Sequence, residues 1–297
     1  MSNDKTINDS TLPDINERKL YNPRIDVIKR LFSNKVATVG LFVFLIICMA
    51  CLFAPFVTKW DYAAINADYV RAKPSAEHIL GTDHLGRDMF SRLLYGGRTT
   101  LRVAFISTII ATFVGGIVGI LSGYFGKRTD FLMSHILDMI AAIPVFLLVI
   151  VFEVALGWGK GNFMYALALG AMPQFARLVR ASVMSIMGNE YIEAAQALGV
   201  SHAGIMSRHV LHNVASPVMV RFTSAITEAI LICSILGYIG IGIGPPIPEW
   251  GAIAYTGRSY IRMNPRLIIF PCATITLSVI SLSLFGDGLR DALSPRE

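Results

Sequence analysis

Long apolar runs alternate with short charged stretches along most of this chain, and one extended polar stretch breaks the rhythm. Six runs reach or approach the roughly 20 residues that an apolar helix needs to cross a hydrocarbon core. They cover residues 36–57, 101–125, 131–156, 162–180, 215–240 and 267–285. The pattern predicts an all-α protein with six membrane-spanning helices, and six spans place both chain ends on one side. The sequences GKRTD at 126–130 and RLVR at 177–180 share that side with the basic N-terminal tail. The excess of Lys and Arg there predicts that this side is the cytoplasm. The organisation expected is a tail over 1–35 with an amphipathic piece near 25–32, a first span at 36–57, and an outer loop with a lead-in helix at 58–100. A five-helix core over 101–285 and a cytoplasmic tail at 286–297 complete it.

Composition agrees with the pattern. Of 297 residues 54% are hydrophobic and only 15% charged, against about a quarter charged in a soluble domain. The net charge of +6 reads as basic residues beside an inner leaflet rather than a nucleic-acid surface. Cys48, Cys51, Cys233 and Cys272 all fall in apolar runs, so they are expected to be free thiols. Trp60, Trp158 and Trp250 fall at outer ends of spans or in outer loops, as an interfacial belt would.

The polar interruption is NEYIEAAQALGVSHAGIMSRHVLHN, residues 189–213. It divides into two helices. Asn189 is placed to cap the first, Glu190 and Glu193 sit near its positive end, and Gly199 after Leu198 suits a left-handed terminator. Ser201 is placed to cap a second helix reaching about Pro217. Ala194, Ala195 and Ala197 leave one surface nearly bare, which allows close approach by a partner. The same stretch looks like a DNA-binding helix-turn-helix, but its second helix has one arginine, Arg208, and runs almost directly into a membrane span. No nucleic-acid partner is expected. A plain connection between spans is the remaining reading.

Glu193-Ala194-Ala195, three residues, then Gly199 resembles the EAA loop of ABC importer permeases. The fuller pattern continues with Ile, one residue and Leu-Pro; here those places hold His209, Leu211 and His212, so Leu alone is retained. LGTDHLGRDMFSRLLYGGRTTL at 80–101, PQFARLVRASV at 173–183, PPIPEWGAI at 245–253 and FGDGLRDALSP at 285–295 resemble the dipeptide/oligopeptide/nickel branch of that family. The resemblance implies an ABC importer type I permease architecture in a bacterial cytoplasmic membrane. Glu193, Ala194, Ala195, Leu198 and Gly199 would form a cytoplasmic coupling helix that docks on an ATPase. The partners implied are a second homologous permease subunit, two ATPase subunits carrying ATP and Mg, and an extracytoplasmic substrate-binding protein. The cargo implied is a short peptide, with nickel or a metal chelate as the alternative.

Other features carry their own chemistry. Gly115, Gly119 and Gly123 recur every four residues, a small-residue face for close helix packing. Pro144 is expected to kink the third span or to start its membrane part after an amphipathic lead-in. Glu228 falls inside the fifth span, where a lipid-facing carboxylate would cost roughly 3 kcal/mol. It is therefore expected to face a pathway, a partner or a cation, with Arg221 in the same network but too far for a direct pair. An ion-coupled secondary transporter built on Glu228 is the rival reading. Glu153 lies nearer an outer end and is expected to reach the interface. Thr82 or Asp83 is expected to cap the helix entering MFSRLL. His209 and His212 lack acidic or sulfur companions, so no metal site is expected, and no phosphate loop or catalytic motif occurs. No cofactor or catalytic residue is expected on this chain.

Overall fold

The computed structural model describes residues 23–157 and 159–294. The tail residues 1–22 and 295–297 and Trp158 lie outside the described residues. The described chain is helical: α1 Pro23–Ser33, α2 Lys35–Leu52, α3 Ala54–Val57, α4 Met89–Phe125, α5 Lys127–Ala141, α6 Val145–Leu156, α7 Lys160–Met187, α8 Glu190–Ala197, α9 His202–Ile205, α10 Leu211–Tyr238, α11 Trp250–Arg258 and α12 Arg266–Leu293. No strand is formed among the described residues.

By length and composition α2, α4, the helical path His202–Tyr238 and α12 suffice to cross a membrane, and a fifth span results if the bent pair α5–α6 counts as one. The remaining predicted segment, the fourth in chain order, is α7, 28 residues long and less apolar than those four. At 1.5 Å per residue that is about 42 Å, enough for a core of about 30 Å. Its two arginines, Arg177 and Arg180, are paired with Asp138 and Asp130 of α5.

Side-chain size decides the central packing. Built Cβ atoms on Gly115, Gly119 and Gly123 would lie 2.7 Å from the Met172 carbonyl, 2.8 Å from Val179 Cβ and 2.8 Å from Val183 Cβ. The glycine face of α4 is thus the surface on which α7 lies, as the spacing predicts. Phe44, Leu94, Leu101, Ile226, Ile230 and Leu282 close a second core joining α2, α4, α10 and α12. Gly288 near the end of α12 meets Ala37 near the start of α2. Both described chain ends therefore share one end of the bundle, and α8 follows α7 at that same end, where Gly123 meets Val183.

The third predicted span is broken at Pro144, as its place in the run suggests: α5 stops at Ala141, Pro144 starts α6, and the two meet at 81°. Proline disfavours helical geometry in the residue before it, which explains the break. Several expectations change. The second span is only the later part of α4, whose 37 residues begin at Met89. Its cap is Asp88, accepting from Ser91 N–H at 2.7 Å, and not Thr82 or Asp83. Thr82 instead accepts from Ala72 N–H, and Asp83 holds the turn at Leu85 and Arg87 and pairs with Arg87 and Arg92. Trp250 is no belt residue, for it is wholly buried with Nε1 donating to the Leu93 carbonyl at 2.8 Å. Glu153 is buried too, and it accepts from Gly159 N–H at 3.0 Å instead of reaching an interface. All four cysteines are free.

Candidate functional site

The polar interruption forms a knob at the end of the bundle that holds the chain ends. Ile192 and Ala195 of α8 are buried, and Ile192 joins Val179, Val183, Ile186, Ile205, Val210 and Val214 in one apolar cluster. The helix is therefore clamped between the end of α7 and the start of α10. That clamp corrects one expectation: Ala195 faces the bundle, while Ala194 and Ala197 stay bare. The outer face presents Glu190, Glu193, Ala194, Ala197 and Leu198. Leu198 is 85% exposed at the helix end.

The ends of α8 are partly those the sequence predicts. Asn189 occupies the cap position with extended backbone, but its side chain accepts no helix N–H. Gly199 adopts φ +75°, with its N–H on the Gln196 carbonyl at 2.9 Å and Val200 N–H on the Ala195 carbonyl at 3.1 Å. Those two bonds make a Schellman stop that only a left-handed residue closes without strain. Ser201 Oγ then accepts from Gly204 N–H at 3.2 Å and caps α9.

The second loop helix does not stop near Pro217. From His202 it passes through a π-helical stretch, Met206–Val210, into α10, giving one path of 37 residues to Tyr238. Pro217 removes one internal bond, and packing by Val214, Ala225 and Ile226 holds the helix across it. The knob and the spans are thus one continuous element. Further ties brace it: Tyr124 OH at the end of α4 bonds His202 Nδ1 at 2.7 Å, and Asn213 reaches the His209 carbonyl at 2.8 Å. Beside it, Arg180 binds both carboxylate oxygens of Asp130, which also accepts from Ser122 at 2.6 Å. The Arg180 guanidinium and the Ser122 hydroxyl hold the Asp130 carboxyl down at about 2. Three helices meet at that carboxylate, a feature the sequence analysis did not single out although GKRTD and RLVR carry both partners.

Glu228 lies elsewhere, at mid-length of α10, with its side chain 50% exposed on the flank of the chain. Arg221 reaches it directly, Nη1 to Oε1 and Nη2 to Oε2, both at 2.8 Å. The expectation of no direct pair fails because two long side chains close the two-turn rise of about 10.5 Å. Gln174 of α7 accepts from the same guanidinium, which also lies over the Phe175 ring at 5.7 Å. Glu228 borders a cavity of about 270 Å³ between α10 and α12, lined also by Thr223, Ser224, Thr227, Ser283 and Asp287. A carboxylate already holding a guanidinium is a poor site for a transported cation. No cluster of three or more His, Cys, Asp or Glu able to hold a metal occurs among the described residues, and His209 and His212 belong to none.

At the opposite end of the bundle, Glu249 is wholly buried and caps α11, accepting from Gly251 N–H at 2.8 Å and Ala252 N–H at 3.2 Å. Burial pushes its carboxyl up to about 7 in spite of those bonds. Its signal in the sequence was an acid directly before Trp-Gly-Ala, read only as part of a longer resemblance.

Comparison with known proteins follows the same lines. Residues 115–297 match the family described as binding-protein-dependent transport system inner membrane component, and residues 22–74 match the N-terminal TM domain of oligopeptide transport permease C. The chain is 39% identical to the dipeptide transport system permease protein DppC of Alkalihalophilus pseudofirmus, over 92% of this chain and 90% of that one. It is 37% identical to the glutathione transport system permease protein GsiD of Pectobacterium atrosepticum, over 97% and 96%. It is 33% identical to the oligopeptide transport system permease protein OppC of Bacillus subtilis, over 91% and 89%. The fold is similar to a chain of the inward-facing MetNI methionine ABC transporter, with TM-score 0.57 and 22% identity over 70% of this chain and 98% of that one.

Proposed function

This chain belongs to the binding-protein-dependent transport system inner membrane components and is a non-catalytic permease subunit of an ABC importer, and from that premise we propose that α8 is the handle through which an ATPase drives it. The observation that carries this reading is the pairing of a clamped inner face with a bare outer face. Ile192 ties α8 into the apolar cluster it shares with α7, α9 and α10, and Ala195 is buried too, while Glu193, Ala194, Ala197 and Leu198 remain free to enter a cleft. A push on the handle has no slack to absorb it, because α9, the π-helical stretch and α10 form one path. ATP acts by favouring one of two arrangements of the subunits, and a rigid element transmits that preference. In this reading Gly199 keeps the handle short and Leu198 fills a pocket on the ATPase.

The same reading places both termini and α8 in the cytoplasm and pairs the chain with a second, similar permease. Two ATPases carry ATP and Mg, and a binding protein delivers cargo on the opposite side. The cargo is a short peptide: the relatives carry names for dipeptide, glutathione and oligopeptide transport, which supports peptides over nickel or a chelate. Glu228 and Arg221 form a neutral pair at the flank of α10, bordering the pathway between the two permeases. The pairing argues against an ion-coupled carrier that runs on Glu228 alone.

The experiment has two arms. A cysteine at exposed position 197 is cross-linked to the ATPase in membranes, and uptake of a labelled dipeptide is followed with ATP present and absent. A cross-link together with ATP-dependent uptake supports the reading. Uptake that needs a proton gradient and no ATP overturns it, and uptake of nickel in place of the dipeptide overturns the cargo.

A further inference from the structure

Two arginines on α4 have no partner. Arg98 and Arg102 lie one turn apart, and among the described residues neither makes an ion pair or a side-chain hydrogen bond. Arg98 Nε is fully buried and unsatisfied. Both line a cavity of about 190 Å³ with Tyr62, Tyr95, Thr99 and Met164, and no acidic residue lines it. The Tyr62 and Tyr95 rings pack at 4.8 Å and wall one side. Like charges one turn apart destabilise a helix, and a buried unpaired guanidinium N–H adds to that cost. An oxyanion between the two guanidinia relieves both.

Position on the helix narrows the choice of oxyanion. From Val103 onward α4 carries no charged residue, and Ile106, Ile109, Phe113 and Ile117 continue from Arg102 as an exposed apolar stripe. The arginines thus stand at the level where the hydrocarbon core ends, on the side away from the chain ends. Directly beyond them, toward the membrane centre, α4 and α7 leave an apolar groove of about 140 Å³ lined by Ile110, Val114, Tyr165, Ala168, Leu169 and Met172. The cavity above is cationic and the groove below is apolar. That order is the order of a phospholipid, phosphate first and acyl chain second.

We propose that Arg98 and Arg102 hold the phosphate of an anionic phospholipid whose acyl chain lies in the α4–α7 groove. Arginine suits this role because its planar donors match phosphate oxygens in pairs. The phosphodiester offsets one of the two charges that the protein leaves uncompensated, its oxygens accept from both guanidinia, and the acyl chain fills the seam beside the glycine face of α4. A peptide carboxylate would use the arginines without the groove, and a helix of the second permease would use the groove without the arginines.

The test uses the complete transporter, purified in mild detergent, stripped of lipid and titrated with phosphatidylglycerol in mixed micelles, with bound lipid counted by native mass spectrometry. The double variant Arg98→Gln/Arg102→Gln removes the phosphate contacts. Val114→Trp fills the groove from its exposed rim and reads the acyl chain separately, even if the arginine variant assembles poorly. The arginine variant is expected to weaken lipid retention about tenfold, the size of one charge-assisted interaction, Val114→Trp to weaken it about tenfold through the loss of about two buried methylenes, and Arg98→Lys/Arg102→Lys to restore most of what the glutamines remove. Glycerol 3-phosphate at the same concentration is expected not to displace the lipid. Unchanged lipid binding in both variants overturns the proposal. Equal binding of glycerol 3-phosphate with no effect of Val114→Trp means a free-anion site and overturns it as well. So does loss of the second permease from the variants, or a shift confined to the peptide concentration that half-activates the ATPase.

Discussion

Arg221 grips Glu228 from two helical turns away, with both guanidinium nitrogens at 2.8 Å from the two carboxylate oxygens. The pair sits on the flank of α10 with the Arg221 side chain 17% exposed and the Glu228 side chain 50% exposed. Such a pair lets a membrane helix carry an acid at mid-length without presenting a bare charge.

Breaking that pair from either side is expected to differ. Glu228→Gln leaves Arg221, the less exposed partner, without a counter-charge, whereas Arg221→Gln leaves the half-exposed Glu228. The first should lower the melting temperature of the detergent-purified complex more than the second. Half-exposure of the carboxylate limits the coupling energy to about 1 kcal/mol in a double-mutant cycle. The exchanged pair Arg221→Glu/Glu228→Arg should recover most of the loss.

The glycine face of α4 gives a prediction with its own control. A Cβ at Gly119 would meet Val179 Cβ at 2.8 Å, so Gly119→Ala must push α4 from α7 and cost about 1–3 kcal/mol. A Cβ at Gly116, one turn around, meets nothing within 4 Å. Gly116→Ala should be neutral or stabilise by up to about 1 kcal/mol. Thermal unfolding of both variants measures the contrast.

Asp130 joins α4, α5 and α7, and its carboxyl is held at about 2, below its ordinary 3.8, chiefly by Arg180. A depressed carboxyl contributes stability above its unfolded value and loses it as the pH falls through the folded one. Asp130→Asn should therefore cost about 1–2 kcal/mol at pH 7. The deficit should shrink between about pH 4 and pH 2, read as the melting-temperature gap between variant and unaltered complex.

Glu249 has the opposite sign. Burial raises its carboxyl from 4.5 to about 7. The folded protein then holds a proton that the unfolded chain has released, so this group makes stability fall as pH rises from about 4.5 to 7 and leaves it level above. Glu249→Gln mimics the protonated acid, and its melting temperature should fall less over that window than that of the unaltered complex.

The sequence carried the helices well, because each span is a run of apolar residues long enough to be seen without neighbours. It carried the stop of α8 and the start of α9 because Gly199 and Ser201 act on residues within five positions of themselves, but not the Asn189 cap, whose side chain accepts no helix N–H. What it carried poorly depends on the third dimension. Trp250 looked interfacial by its place in the chain, and only the approach of α4 at Leu93 buries it. Ala195 looked bare, and only the folded chain buries it. The Arg221–Glu228 pair was discounted on Cα spacing, which ignores the reach of the side chains. Arg98 and Arg102 were legible only as charges near a span, since their lack of partners is a property of the folded neighbourhood.

The central claim is that α8 is the contact with an ATPase, and the most direct measurement is co-purification. The complex carrying Glu193→Lys is isolated in mild detergent beside the unaltered one, and ATPase content and peptide-stimulated hydrolysis are measured in both. Glu193 is exposed and touches no span, so helical content and melting temperature should match. The account predicts that the unaltered permease brings the ATPase with it and that the variant has lost most of it. Equal ATPase content and equal stimulation in the two preparations would contradict the account.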